Sequence, residues 1–345
     1  MQIASHALLF ALSAAVIWFL SGILIDATDR VAKRYKKPGF AVAFLVLGLL
    51  TSIGEFSVAT NATLNGVPQV SAGNLMGAST VIFLLILPLL AILGNGIYMT
   101  KAIRPKSVIL VLFVVLLPTI LAIDGDVTKP EGIIMLLLYG VLLYKIQKRK
   151  PAEEIAKEAL RRTKRELLQT RHATAMDLLK ILLGGVLIFI AGHILVQESV
   201  FFAQVLTIPV SFIGLLLLSI GTNIPELVIA IRCVMGRHKD IAFGDYMGSA
   251  AANTLIFGFL PLTNGDFNLE QSEIIVTFAV LSLGLTLFFF FARSKNDLSR
   301  TEGICLLLLY VLFLFSQVGN AFRLSEEKLP LEATTILEIK NNQKM

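Results

Sequence analysis

Two carboxylates stand inside long apolar runs, Glu55 in the stretch TSIGEFSVAT and Glu226 in TNIPELVIAI. A charge at bilayer depth costs roughly 2.5–3.5 kcal/mol, so such residues face a cavity, an ion or a partner. A threonine stands four positions before each, Thr51 and Thr222, on the same helix face as its glutamate. Gly54 or Pro225 lies immediately before the glutamate and loosens the helical hydrogen-bond ladder, freeing carbonyls such as those of Thr51 and Thr222. Two carboxylates with freed carbonyls and water make an oxygen-only cage. Such a cage suits Ca2+, which takes about six to eight oxygens, and suits softer metals poorly.

The two stretches are copies of one another. TSIGEFSVATNATLNGVPQVSAGNLMGAS aligns without a gap on TNIPELVIAIRCVMGRHKDIAFGDYMGSA, and Glu55 to Glu226 and Gly77 to Gly248 are both 171 residues apart. Each copy ends in Gly-x-x-x-Gly, Gly73 with Gly77 and Gly244 with Gly248, a spacing that lets helix backbones approach closely. Asp245, Ser249 and Asn253 follow at helical spacing as a polar stripe. The equivalent stripe in the first copy, Asn74, Ala78 and Ile82, is mostly apolar.

The elements that must hold these residues are membrane spans. The chain has 345 residues, of which 56% are hydrophobic and 16% charged, and its mean hydropathy of +0.79 excludes a soluble fold. Ten apolar runs near the ~20 residues of a transmembrane helix cover 7–25, 39–63, 70–96, 107–123, 131–146, 177–197, 206–232, 241–261, 273–292 and 302–319. The first lacks a basic leading segment and is read as a span rather than a cleaved signal. The expected fold is therefore an all-α integral membrane protein of about ten transmembrane helices.

The net charge of +6 does not point to nucleic acid, because the basic residues fall on alternate loops. Arg30, Lys33, Arg34, Lys36 and Lys37 follow the first run, Lys101, Arg104 and Lys106 the third, Arg237 and Lys239 the seventh, and Arg293, Lys295 and Arg300 the ninth. The most basic loop, 146–175, follows the fifth, while the remaining loops carry Asp124, Asp126, Glu198, Asp266 and Glu270. By the positive-inside rule the long loop is cytoplasmic and both termini are not, in a plasma or inner membrane.

Five runs precede the long loop and five follow it, so the second half enters the membrane from the opposite side. Residues 1–145 and 176–320 then form two inverted repeats of five helices, followed by a non-cytoplasmic tail, 321–345. Inverted repeats mark secondary transporters, whose sites lie near the midplane on broken helices. Cys233 and Cys305 have no metal-ligand spacing and read as buried thiols. His193 and Arg232 are assigned no role.

With these residues in hand, the chain resembles the cation/calcium exchanger superfamily, whose two alpha-repeats carry Gly-Thr-Ser-x-Pro-Glu and then Gly-Asn-x-x-Gly-Ser-Asn. GTNIPE with GDYMGSAAAN matches closely, within about 219–255, and TSIGE with GNLMGAS more loosely, within about 48–84. The resemblance implies an antiporter without a cofactor, moving Ca2+ against Na+ or H+ in contact with membrane lipid. It implies that Glu55 and Glu226 hold calcium with backbone oxygens of Thr51 and Thr222. Ser52, Asn223, Ser249, Asn253 and Asp245 would be the counter-ion set. Gly54, Asn223, Ala78 and Ile82 replace the family's Pro, Ser, Ser and Asn, which depletes the sodium sites and leans the counter-ion toward protons. A conventional sodium/calcium exchanger and a cation channel of the same fold are the alternatives. An intramembrane enzyme is disfavoured, because no nucleophile, metal-binding histidine set or nucleotide motif accompanies the glutamates.

Overall fold

A computed structural model describes residues 2–34, 52–98, 105–147, 171–223, 226–227, 239–294 and 297–342. Its helices are α1 (Gln2–Arg34), α2 (Ile53–Leu64), α3 (Pro68–Leu93), α4 (Pro105–Leu121) and α5 (Lys129–Gln147) in the first half. The second half supplies α6 (Arg171–Leu206), α7 (Val210–Thr222), α8 (Lys239–Asn264), α9 (Gln271–Ser294) and α10 (Arg300–Asn342). Each of the ten predicted apolar runs overlaps one of them, the second and seventh only in part. Five, lying in α1, α3, α6, α9 and α10, are long and apolar enough to cross a membrane by length and composition.

Burial sorts the helices by what surrounds them. α3 carries no charged residue and is buried along most of its length, at the centre of the main apolar cluster with Phe83, Leu87, Phe257 and Phe288. α1 and α6 pack on each other at one side, through Ile17, Ile188, Ala191 and Leu195. Their other faces, like those of α9 and α10, present large apolar side chains outward, among them Leu8, Phe19, Leu182, Phe290 and Phe315. Helices satisfy their own backbone groups, so lipid can take the place of a protein partner on those faces. Cys305 lies exposed on α10, which corrects the expectation of a buried thiol: its helix face looks outward, where a thiol is as compatible with lipid as with a core. Cys233 falls outside the described residues.

The two halves are joined crosswise by two short antiparallel ladders. β1 (Ile97–Tyr98) pairs with β4 (Asp297–Leu298), and β2 (Asp126–Val127) pairs with β3 (Phe267–Asn268). Each half thus gives one strand to each ladder. The repeat also extends beyond the stretch aligned above, since DVTKPEG at 126–132 matches DLSRTEG at 297–303, again 171 residues on. Both copies make the same helix start. Glu131 accepts hydrogen bonds from Thr128 N at 2.8 Å and Thr128 Oγ1 at 2.9 Å. Glu302 does so from Ser299 N at 2.8 Å and Ser299 Oγ at 2.7 Å, in the manner of a capping box. Gly132 of α5 abuts the carbonyl of Gly258, and Gly303 of α10, its copy, abuts that of Pro88. One packing solution is used twice, as a two-fold-related pair of halves requires.

Candidate ion site

The site forms where each half restarts a helix. In the first half Ser52 caps α2, and Phe56 N donates to Ser52 O at 2.9 Å. In the second, α7 ends at Thr222, Asn223 follows as its cap, and Leu227 N donates to Asn223 O at 3.2 Å. Glu55 therefore sits in the first turn of a helix, where unpaired N–H groups give a positive local potential that favours a carboxylate. Thr51 and Pro225 lie outside the described residues, as do the side chain of Asp245 and the packing of Gly244.

Glu55, Glu226, Ser52, Thr222, Asn223, Ser249 and Asn253 are all essentially inaccessible to solvent. They are tied together across the repeats. Asn223 Nδ2 donates to Glu55 Oε1 at 3.2 Å, from the second half to the first. Ser249 Oγ donates to Glu226 Oε1 at 3.3 Å, and the same hydroxyl lies 3.1 Å from Ser52 Oγ of the first half. The network leaves acceptors over: Glu55 Oε2, Asn223 Oδ1 and Asn253 Oδ1 have no hydrogen-bond partner among the described residues. Among those residues no basic side chain forms an ion pair with Glu55. A buried carboxylate without a cation is costly, so this oxygen set fits a transported cation.

The orientation of Asn223 is fixed by chemistry. Its Nδ2 also donates to Ser219 O at 2.8 Å, and a carbonyl can only accept. An amide N–H thus occupies a position beside Glu55 where a hydroxyl could have turned its oxygen toward a metal ion.

Two glycine pairs bring the elements together. A Cβ at Gly54 would press on Ile17 Cγ2 of α1 at 3.2 Å and reach ordinary contact with Thr222 Cβ of α7 at 3.6 Å. A Cβ at Gly73 would collide with Ser211 O, and one at Gly77 with Leu215 O, so α3 rests directly on the backbone of α7. α7 widens there into a π-turn, Gly214–Leu218, and Gly214 returns the close contact against Val70 O and Asn74 N. Gly-x-x-x-Gly is therefore a packing seam that sets the position of Thr222 and Asn223. Gly248 lies buried on α8.

Two residues were not singled out from sequence. Asn74, fully buried, accepts from Thr222 Oγ1 at 3.3 Å, and its Nδ2 has no partner among the described residues. Its place in the repeat is that of Asp245, which was the available signal. Tyr246, also fully buried, donates from its hydroxyl to Glu226 O at 3.2 Å. Ala78 and Ile82, copies of Ser249 and Asn253, are fully buried and offer no side-chain oxygen.

The chain is similar to known membrane proteins. The family model described as sodium/calcium exchanger protein matches residues 5–146 and 177–319. An uncharacterised membrane protein of Methanocaldococcus jannaschii is 24% identical over 307 residues, 89% of this chain and 96% of that one. Sodium/calcium exchanger MaX1 of Methanosarcina acetivorans is 34% identical over 145 residues, 41% of this chain and 40% of that one. A solved structure of the sodium-calcium exchanger NCX_Mj, soaked with Na+ and Sr2+, superposes with a TM-score of 0.63 at 23% identity, covering 90% of this chain and 97% of that one.

Proposed function

The chain belongs to the sodium/calcium exchanger protein family, and from that premise we propose that it is a secondary-active antiporter exchanging Ca2+ for monovalent cations, protons foremost, by alternating access. It is a transporter of an integral membrane fold, not an enzyme. The observation that carries the reading is the pair Glu55 and Glu226, one from each repeat, both buried, Glu55 bonded by Asn223 of the opposite repeat and Glu226 reaching Ser52 of the opposite repeat through Ser249. Calcium would be held by these carboxylates with the backbone oxygens of Thr51 and Thr222. Ser52, Asn223, Ser249, Asn253 and Asp245 would serve the counter-ion, while Pro225, like Gly54, interrupts its helix.

Exchange follows from charge. Empty and ionised, the pair would carry two uncompensated charges through an occluded state, at several kcal/mol per ion. Loaded forms cross and empty ones do not.

Protons are favoured because the first repeat lacks oxygens where the second has them, at Ala78 and Ile82, and because Asn223 turns an N–H toward Glu55. Sodium needs a cage for each ion, whereas a proton needs only a carboxylate, and two protons neutralise the pair as one Ca2+ does. The test is calcium efflux from liposomes under a pH gradient without sodium, or a sodium gradient at fixed pH. The pH gradient is expected to drive efflux. Sodium-driven efflux with no response to pH would establish the sodium-coupled alternative, and a rate typical of a pore in both arms would establish a channel.

The orientation belongs to the same proposal. Residues 1–145 and 176–320 are the two halves, 146–175 is cytoplasmic, and both termini, with the tail 321–345, lie on the other side of a plasma or inner membrane. Single cysteines at Lys148 and Asp266 are expected to label unequally in intact cells, and equal labelling would refute that orientation.

A further inference from the structure

A third carboxylate is as deeply buried as the exchange pair and belongs to no repeat motif. Glu273, in the first turn of α9, is fully buried. Its Oε2 accepts from Ser211 Oγ at 2.6 Å, while Oε1 has no partner among the described residues. Gln317, reaching in from α10 and also fully buried, donates from Nε2 to Glu273 O at 3.1 Å and Thr277 Oγ1 at 2.9 Å. Those contacts fix the amide, because the backbone carbonyl can only accept. Gln317 Oε1 is then a second buried acceptor without a donor among the described residues.

From these two orphaned oxygens, on residues joined by the Gln317–Glu273 hydrogen bond, we infer that Glu273, Gln317, Thr277 and Ser211 form a second buried site, distinct from the exchange pair, for one monovalent cation, a proton or a sodium ion. A single carboxylate sets the charge. A monovalent ion leaves the pocket neutral, whereas a divalent ion would leave a net positive charge buried at a cost of several kcal/mol. Among the described residues Glu270, in the preceding loop, is the acidic group whose charge acts on it. α3 and α7 carry no charged residue, and α4 has only Lys106, at its start. On α10, Arg300 and Glu302 lie at the far end and Arg323 is exposed six residues beyond Gln317.

The site is not a relic of duplication, because Ala102, Lys106 and Ile146 stand 171 residues before Glu273, Thr277 and Gln317. It communicates with the exchange pair through α7. Ser211 at the start of that helix binds Glu273, and Thr222, eleven residues on and so about 16 Å away, belongs to the exchange site. Occupancy of the second site thus bears on the helix that positions the first.

The test measures thermal unfolding of the full chain in detergent, in the Glu55→Gln/Glu226→Gln background, so that the exchange pair contributes nothing. One arm titrates sodium against choline at fixed pH, and the other lowers pH without sodium. A rise of about 2 °C in melting temperature is expected at tenfold saturation in one arm, and adding Glu273→Gln should abolish it. The responding arm identifies the ion. Gln317→Leu, which keeps the carboxylate, is expected to raise the midpoint concentration about tenfold, and it serves if the triple variant does not fold. No response in either arm, or one unchanged by both substitutions, would overturn the second site while leaving calcium exchange untouched.

Discussion

Glu55→Gln and Glu226→Gln each lower the initial rate of calcium exchange by at least about a hundredfold, with the protein still eluting as a folded species in detergent. Either change leaves a single negative charge facing a divalent ion in a pocket closed to solvent. The net positive charge left on the occluded complex costs several kcal/mol, and about 2.7 kcal/mol already corresponds to a hundredfold in rate. Glutamine keeps the volume of glutamate, so packing around α2 is preserved and the loss reports charge rather than a cavity. Uptake of radiolabelled calcium into proteoliposomes checks it. Retention of more than about a tenth of the native rate by either variant would break the shared-site account. The double variant should be no worse than the singles in effect, because each alone already prevents loading.

Gly77→Val lowers the melting temperature by about 1–4 °C, from the roughly 1–3 kcal/mol that overpacking costs. The side chain has nowhere to go. The first added carbon would meet Leu215 O and the Cβ and Oγ of Ser219, and backbone cannot swing aside as a long side chain can. Moving α7 away from α3 also shifts Thr222 and Asn223 relative to Glu55, so exchange should fall together with stability. Gly140→Ala is the control, since nothing lies within 4 Å of the added carbon. There the helix propensity of alanine should leave stability unchanged or raise it by up to about 1 kcal/mol. Equal melting temperatures for Gly77→Val and the native chain would show that the seam is not close-packed.

What could be read from the sequence was whatever recurs along the chain. The apolar runs, the copies around Glu55 and Glu226 and the opposed senses of the halves all lie on sequence periodicity, and the described helices overlap each run. The cross-repeat contacts were not legible. That Asn223 serves Glu55 while Ser52 meets Ser249 depends on how the halves dock, which no spacing within either half encodes. Asn74 was passed over because its stripe continues into Ala78 and Ile82, so the pattern reads as apolar although one member meets Thr222. Gly-x-x-x-Gly read as helix packing, but its partner, the widened turn of α7, carries no sequence signature. Glu273 escaped because it stands at the edge of an apolar run beside Glu270, where a carboxylate reads as part of a solvated loop.

The crosswise ladders have a consequence for the order of synthesis. Tyr98 leaves the ribosome about 200 residues before Asp297, with which it pairs. At the ~5–20 residues per second of translation, the first strand waits roughly 10–40 s for its partner. For roughly the first 6–25 s of it, until Thr222 is made, α3 is complete while α7, against which Gly73 and Gly77 must lie, is not. The glycine face of the nascent first half therefore has no α7 to close on until the second half is made.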